Sequence, residues 1–173
     1  MKKKIGFVVA IALVGLALLF IRYYMVDLPV WHFLGGGNGP DPVTLHLRGE
    51  FVESNLGAAE GPAGSVTVRM IAQQFVFVPQ CIVVPAGVPI TFRITSADAV
   101  HKLSFLGTNY GLEAVPRVVT EATFTFGKAG EFNIPCQEFC GAGHYAMRGH
   151  LDVVPRDQFA SLLPGERRTC EPR

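Results

Sequence analysis

The chain has 173 residues, 49% apolar and 17% charged, with a mean hydropathy of +0.32; this suits one globular domain plus some membrane-embedded length and excludes a disordered chain. A formal net charge of +1 lacks the Lys and Arg excess that phosphate contacts need, so no nucleic-acid partner is expected. Four cysteines are too few for a disulfide-built scaffold but enough for a metal site.

Residues 1–25 hold Lys2, Lys3, Lys4 and Arg22 and no acid, a balance of +4, whereas residues 26–173 hold eleven Lys and Arg against fourteen Asp and Glu, a balance of −3. From Ile5 to Phe20 no side chain is polar. The apolar stretch then runs on to Met25, interrupted only by Arg22, which can snorkel, and the interfacial pair Tyr23 and Tyr24. About 20 such residues span a ~30 Å hydrocarbon core, so residues 1–25 are predicted to form one N-terminal transmembrane helix. The lysines before it keep the N-terminus cytoplasmic and place everything after Met25 on the outer, periplasmic face of the cell (inner) membrane. A cleaved signal peptide shares this pattern, but Phe20, Ile21, Arg22 and Tyr23 are all large and offer no cleavage site.

Residues 26–42, with Pro29, Gly35, Gly36, Gly37, Gly39, Pro40 and Pro42, read as a Gly/Pro-rich tether. Residues 43–155 then carry repeated β signals, and the expected strands cover 43–47, 66–70, 82–84, 90–94, 122–126, 131–134 and 150–154. Turn residues separate them, including Pro79, Pro85, Gly87, Gly127, Gly130 and Pro155. Regularly spaced short strands without long helical periods predict an all-β sandwich or barrel. Only 157–163 reads as helical, so residues 156–173 are taken as a short helix and polar tail.

The chemistry is concentrated in Cys136-Gln-Glu-Phe-Cys140-Gly-Ala-Gly-His144-Tyr-Ala-Met147, with His101 upstream. Two thiolates, a thioether and imidazoles are the donors copper prefers. A structural zinc site has no need of the methionine and pairs closely spaced ligands at both ends. A Cys136–Cys140 disulfide leaves the His and Met unexplained, and a single-copper site leaves one cysteine over. A thioredoxin-type copper-delivery protein needs βαβ units that the pattern lacks. Two bridging thiolates make a two-copper centre the economical reading.

Cys-x-Glu-x-Cys-x3-His-x2-Met with an upstream His in Thr95-Ser-Ala-Asp-Ala-Val-His101 resembles the binuclear copper (CuA) domain of subunit II of haem-copper cytochrome c oxidases. Leu45-His-Leu-Arg-Gly-Glu-Phe-Val-Glu53, Ile71-Ala-Gln-Gln-Phe75, Phe77-Val-Pro79, Thr91-Phe-Arg-Ile-Thr-Ser96 and Gly107-Thr-Asn109 extend the resemblance over most of residues 43–154. The single anchor is similar to the shorter B-type branch. The resemblance implies a cupredoxin-like Greek-key β-sandwich in which Cys136 and Cys140 bridge two coppers. His101 and His144 then give one imidazole to each metal, Met147 a weak axial thioether, and Glu138 its backbone carbonyl. It further implies electron transfer from cytochrome c or a similar donor to haem in the catalytic subunit I, where oxygen is reduced to water and protons are pumped. The resemblance leaves room for a further small membrane subunit as an additional partner. In the family the carboxylate between the cysteines can also bind Mg2+ at the subunit boundary, a role open to Glu138.

A nitric oxide reductase or another respiratory complex fed by the same domain would share every ligand, whereas a copper store or chaperone would hold exchangeable copper without a mixed-valence band. Two features depart from the family pattern: Lys102 and Leu103 follow His101, and Arg148 follows Met147, where aromatic residues are common. The aromatic that receives the electron is then sought among Phe75, Phe77 and Tyr145. Lys102 and Arg148 also predict a locally positive rim that steers an acidic or neutral donor. His32, His46 and His150 are expected to bind no metal, His46 lying outward on a strand. Cys81 and Cys170 are either a disulfide anchoring the tail or, for Cys81, a buried thiol.

Overall fold

The computed structural model describes residues 2–22, 39–162 and 169–170. The chain divides into two compact units, Met1–Gly37 and Asn38–Arg173. In the first, Lys2–Arg22 forms helix α1, about 31 Å long at 1.5 Å per residue. Its side chains are described only at Gly6 and from Ile11 to Arg22, all exposed. Among the described residues no helix is long and apolar enough to cross a membrane.

Among the described residues the second unit holds ten strands: β1 (Gly57–Glu60), β2 (Val66–Gln73), β3 (Val76–Val78), β4 (Cys81–Pro85), β5 (Pro89–Ser96), β6 (His101–Ser104), β7 (Gly111–Ala114), β8 (Thr120–Thr125), β9 (Gly130–Pro135) and β10 (Arg148–Val154). One sheet runs β1-β2-β5-β8 with β3 also on β2, a second runs β4-β10-β9, and β6-β7 is a separate hairpin. The chain crosses to the second sheet at β4 and returns at β5, which leaves β2 and β5 side by side in parallel.

Alternation explains the layering. Val66, Val68 and Met70 of β2, Ile90, Phe92 and Ile94 of β5, and Leu151 and Val153 of β10 are buried, with half-exposed residues between them. They meet Ile82, Val84 and Ile134 in one core, lined by a run of rings in which Phe92 packs 5.1 Å from Phe105 and Phe126 lies 5.2 Å from Phe132.

The strand expected at 43–47 is absent; the segment is a series of turns. Asp41 Oδ1 accepts the Val43 N–H at 3.1 Å, and the Thr44 carbonyl accepts the N–H groups of Leu47 and Arg48, so local bonds satisfy the backbone before a ladder can. His46 therefore lies on a turn, its Nε2 3.3 Å from Gln73 Oε1, and not on a strand. Just before it, the Gly39 N–H donates to the Arg117 carbonyl at 3.0 Å, close enough that a Cβ on Gly39 would collide with that oxygen.

On the outer face of the first sheet, Arg69 and Arg93 stand opposite each other across the β2–β5 register, a repulsive pair. Glu50 offsets it, accepting from Arg69 Nε at 3.2 Å and from Arg93 Nη2 at 2.9 Å, while Arg93 also pairs with Glu121. The Arg93 hydrogen bond, with the charges of both arginines, outweighs burial and holds the Glu50 carboxyl below its ordinary 4.5. A depressed carboxyl contributes stability above the unfolded value that is lost as pH falls through the folded one. Glu50→Gln is therefore expected to cost about 1–3 kcal/mol at pH 7 and to flatten the loss of stability as pH falls below the ordinary carboxylate range, read by urea unfolding.

Helix α2 (Arg156–Ser161) follows β10 and buries Phe159. Cys81 and Cys170 form a disulfide, with Thr169 bridged to Ile82, which decides between the two alternatives the sequence left open.

Candidate metal centre

His101 opens β6 and is fully buried, and Cys136 directly follows β9. A bridge between Leu103 and Cys136, with the Gln137 N–H donating to the Lys102 carbonyl at 2.8 Å, fastens the hairpin to the start of the cysteine segment. At its other end the Cys136 N–H donates to the Met147 carbonyl at 3.1 Å, closing the segment on itself. A 3-10 turn at His144–Ala146 then aims His144 and Met147 inward.

All six expected residues come together. The two sulfurs are 4.0 Å apart. His101 Nδ1 is 3.9 Å from Cys136 Sγ, and His144 Nδ1 is 3.6 Å from Cys140 Sγ. Met147 Sδ lies 3.8 Å from Cys140 Sγ, and the Glu138 carbonyl oxygen 3.3 Å from Cys136 Sγ. Both cysteines are buried free thiols. Burial, with Cys136 beside it, pushes the Cys140 thiol up to about 11, so a metal must displace a firmly held proton. Soft sulfur, imidazole nitrogen and a carbonyl converging on a buried point fit copper better than any hard cation.

The surrounding contacts include two residues that the sequence reading did not single out. Asp98 Oδ1 lies 2.8 Å from His101 Nε2 and accepts the Ala99 N–H at 2.6 Å, while its Oδ2 accepts the Gln74 N–H at 2.6 Å. Burial pushes the Asp98 carboxyl up, but the bonds from His101, Gln74 and Ala99 prevail and hold it below its ordinary value. The Gln74 side-chain amide donates to the Cys140 carbonyl. The Asp-x-x-His spacing was the available signal for Asp98; nothing local marks Gln74. Phe75 packs its ring against Gly141 and Gly143, where a Cβ would crowd or overlap it, and Gly141 has φ +133°. Lys102 faces Glu113 across the hairpin register, and Arg148 is exposed. His150, on β10, lies outside the cluster, and His32 falls outside the described residues.

Residues 65–154 match the family described as cytochrome c oxidase subunit II, periplasmic domain. The chain belongs to the cytochrome c oxidase subunit II family. It is 34% identical over 113 residues to cytochrome c oxidase subunit 2 of Thermus thermophilus, covering 65% of this chain and 84% of that one. Among solved structures it is similar to a chain of a heme-copper terminal oxidase dimer, with TM-score 0.53 and 24% identity over 89% of this chain and 100% of the other. It is also similar to the periplasmic domain of subunit II of cytochrome oxidase of Bradyrhizobium japonicum, with TM-score 0.51 and 24% identity over 55% of this chain and 88% of the other. These structural likenesses establish a mostly β, cupredoxin-like fold. As a subunit II, the chain is part of an oxidoreductase complex whose catalytic activity resides in other subunits.

Proposed function

We propose that this subunit II is the electron-accepting subunit of a terminal respiratory oxidase and holds a two-copper CuA centre on His101, Cys136, Cys140, His144, Met147 and the Glu138 carbonyl. The observation that carries the reading is the pair of buried sulfurs 4.0 Å apart, each with its own imidazole Nδ1 within 3.9 Å. Copper held there supplies a one-electron couple. The chain's residues do the rest. Cys136 and Cys140 would supply two soft sulfurs, and the strands flanking their segment, β9 and β10, hold those donors in place. His101, Cys136, Cys140 and Met147 are buried and would keep water from a metal held there.

Cytochrome c or a similar donor docks over the loop, and the electron goes on to haem in catalytic subunit I for reduction of oxygen to water; a further small membrane subunit completes the assembly. Phe77 is fully buried in the core, whereas Phe75 is 37% exposed against the loop glycines and Tyr145 is 84% exposed within the loop, which leaves Phe75 and Tyr145 as the contacts for the incoming electron. The Glu138 carboxylate, exposed beside the centre, is the candidate Mg2+ ligand at the boundary with subunit I. Residues 1–25 anchor the chain in the cell membrane with the N-terminus cytoplasmic, 26–42 tether it, 43–155 form the CuA domain on the periplasmic face, and 156–173 complete it. The apolar run of α1 and its preceding lysines support this topology.

The test is an EPR and near-infrared spectrum of the copper-loaded full chain in detergent. A seven-line hyperfine pattern with a near-infrared band is expected, since one electron is shared by two coppers; a four-line pattern overturns the reading.

A further inference from the structure

We infer that Asp98 and Gln74 form a clamp that sets the ligand side chains in place before the metal arrives, and that both are positioning residues of the centre proposed above, on which this inference rests. Asp98 sits in the turn between β5 and β6, and its carboxylate gathers three donors: His101 Nε2 at 2.8 Å, the Ala99 N–H at 2.6 Å and the Gln74 N–H at 2.6 Å. A carboxylate accepts only, so the His101 Nε2–H donates to it, which turns Nδ1 toward Cys136 Sγ, 3.9 Å away. His101 is 0% exposed, so no solvent water replaces Asp98 as the partner that fixes ring and tautomer.

Gln74 carries the same control across to the cysteine segment. Its backbone N–H is held by Asp98 while its side-chain amide is held by the Cys140 carbonyl. One residue thus ties the β2–β3 turn to both ligand-bearing segments, and the Phe75 ring beside it seats the loop at Gly141 and Gly143. Ser96 stiffens the carboxylate's own turn, with its Oγ accepting the Asp98 N–H at 3.2 Å and donating to the Ala99 carbonyl at 2.5 Å. Outer partners of metal ligands arranged in this way are commonly worth about 10–100-fold in metal affinity.

The experiment measures Cu(I) retention by the full chain in detergent against a chelator of known affinity, together with the EPR hyperfine pattern. Asp98→Ala is expected to weaken retention about 10–100-fold and to alter the splittings. Asp98→Asn, which keeps an oxygen for the His101 N–H, is expected to fall between Asp98→Ala and wild type, and Gln74→Ala to weaken retention by a smaller factor than Asp98→Ala. Glu50→Gln, which loosens the same domain from its outer face, controls for stability and is expected to leave both readouts unchanged. Wild-type retention and splittings in Asp98→Ala and Gln74→Ala overturn the clamp while leaving the centre intact; so does an equal loss in Asp98→Ala and Glu50→Gln. If Asp98→Ala does not fold, Asp98→Asn and Gln74→Ala decide by the same criteria. A wild-type chain without the two-copper spectrum overturns the functional reading and the clamp with it.

Discussion

Cys140→Ser is expected to remove the two-copper signature while leaving the domain folded. Cys140 Sγ lies 4.0 Å from Cys136 Sγ, 3.6 Å from His144 Nδ1 and 3.8 Å from Met147 Sδ, so it is the donor that the other side chains surround. A serine hydroxyl is nearly the same size, but it is a hard donor that keeps its proton at neutral pH and cannot share polarizable density between two metals. Bound copper should fall from two ions per chain to at most one, and the seven-line pattern should give way to four lines or none. Far-UV circular dichroism should stay unchanged, because the strands close their own hydrogen bonds without the thiol. An unaltered two-copper spectrum in Cys140→Ser would show that the cysteine pair is not the bridge.

The second large effect concerns stability alone. The Cys81–Cys170 disulfide spans a sequence separation of 89 residues, and the loop-closure argument assigns such a crosslink roughly 4.6 kcal/mol, acting chiefly on the unfolded chain. Replacing both cysteines by serine is expected to lower the melting temperature by roughly 10–15 °C for a domain of this size. The copper spectrum of the folded variant should not change, since neither cysteine belongs to the cluster. A shift below about 2 °C would mean that the tail and its crosslink contribute nothing to the fold.

Both expectations begin in features that the sequence displays openly. The residues of the candidate centre were legible because five of the six fall from Cys136 to Met147, so spacing alone exposes them. Strands were legible where β-branched and aromatic residues alternate, as in β2, β5 and β10. They were invisible in β1 and β7, whose Gly-Ala-Ala-Glu and Gly-Leu-Glu-Ala carry no such pattern and are recruited by their neighbours. The segment 43–47 misled for the opposite reason: its alternation is genuine, but the side chain of Asp41 diverts the backbone into turns. Asp98 and Gln74 lie 24 positions apart and meet only through the fold. The loop glycines were visible as glycines, but their purpose depends on where Phe75 comes to rest.

The second sheet also shows how its two margins are closed. Along β9 the hairpin lies against the strand, with the Leu106 N–H donating to the Asn133 carbonyl at 3.0 Å, and along β4 the tail bridges Ile82 through Thr169 and is fastened by Cys170. Unpaired strand margins invite pairing with another copy of the same chain, so this covering guards against aggregation. Because Cys170 lies beyond Met147 in the chain, the covalent seal on β4 cannot form until the whole segment from Cys136 to Met147 has already emerged.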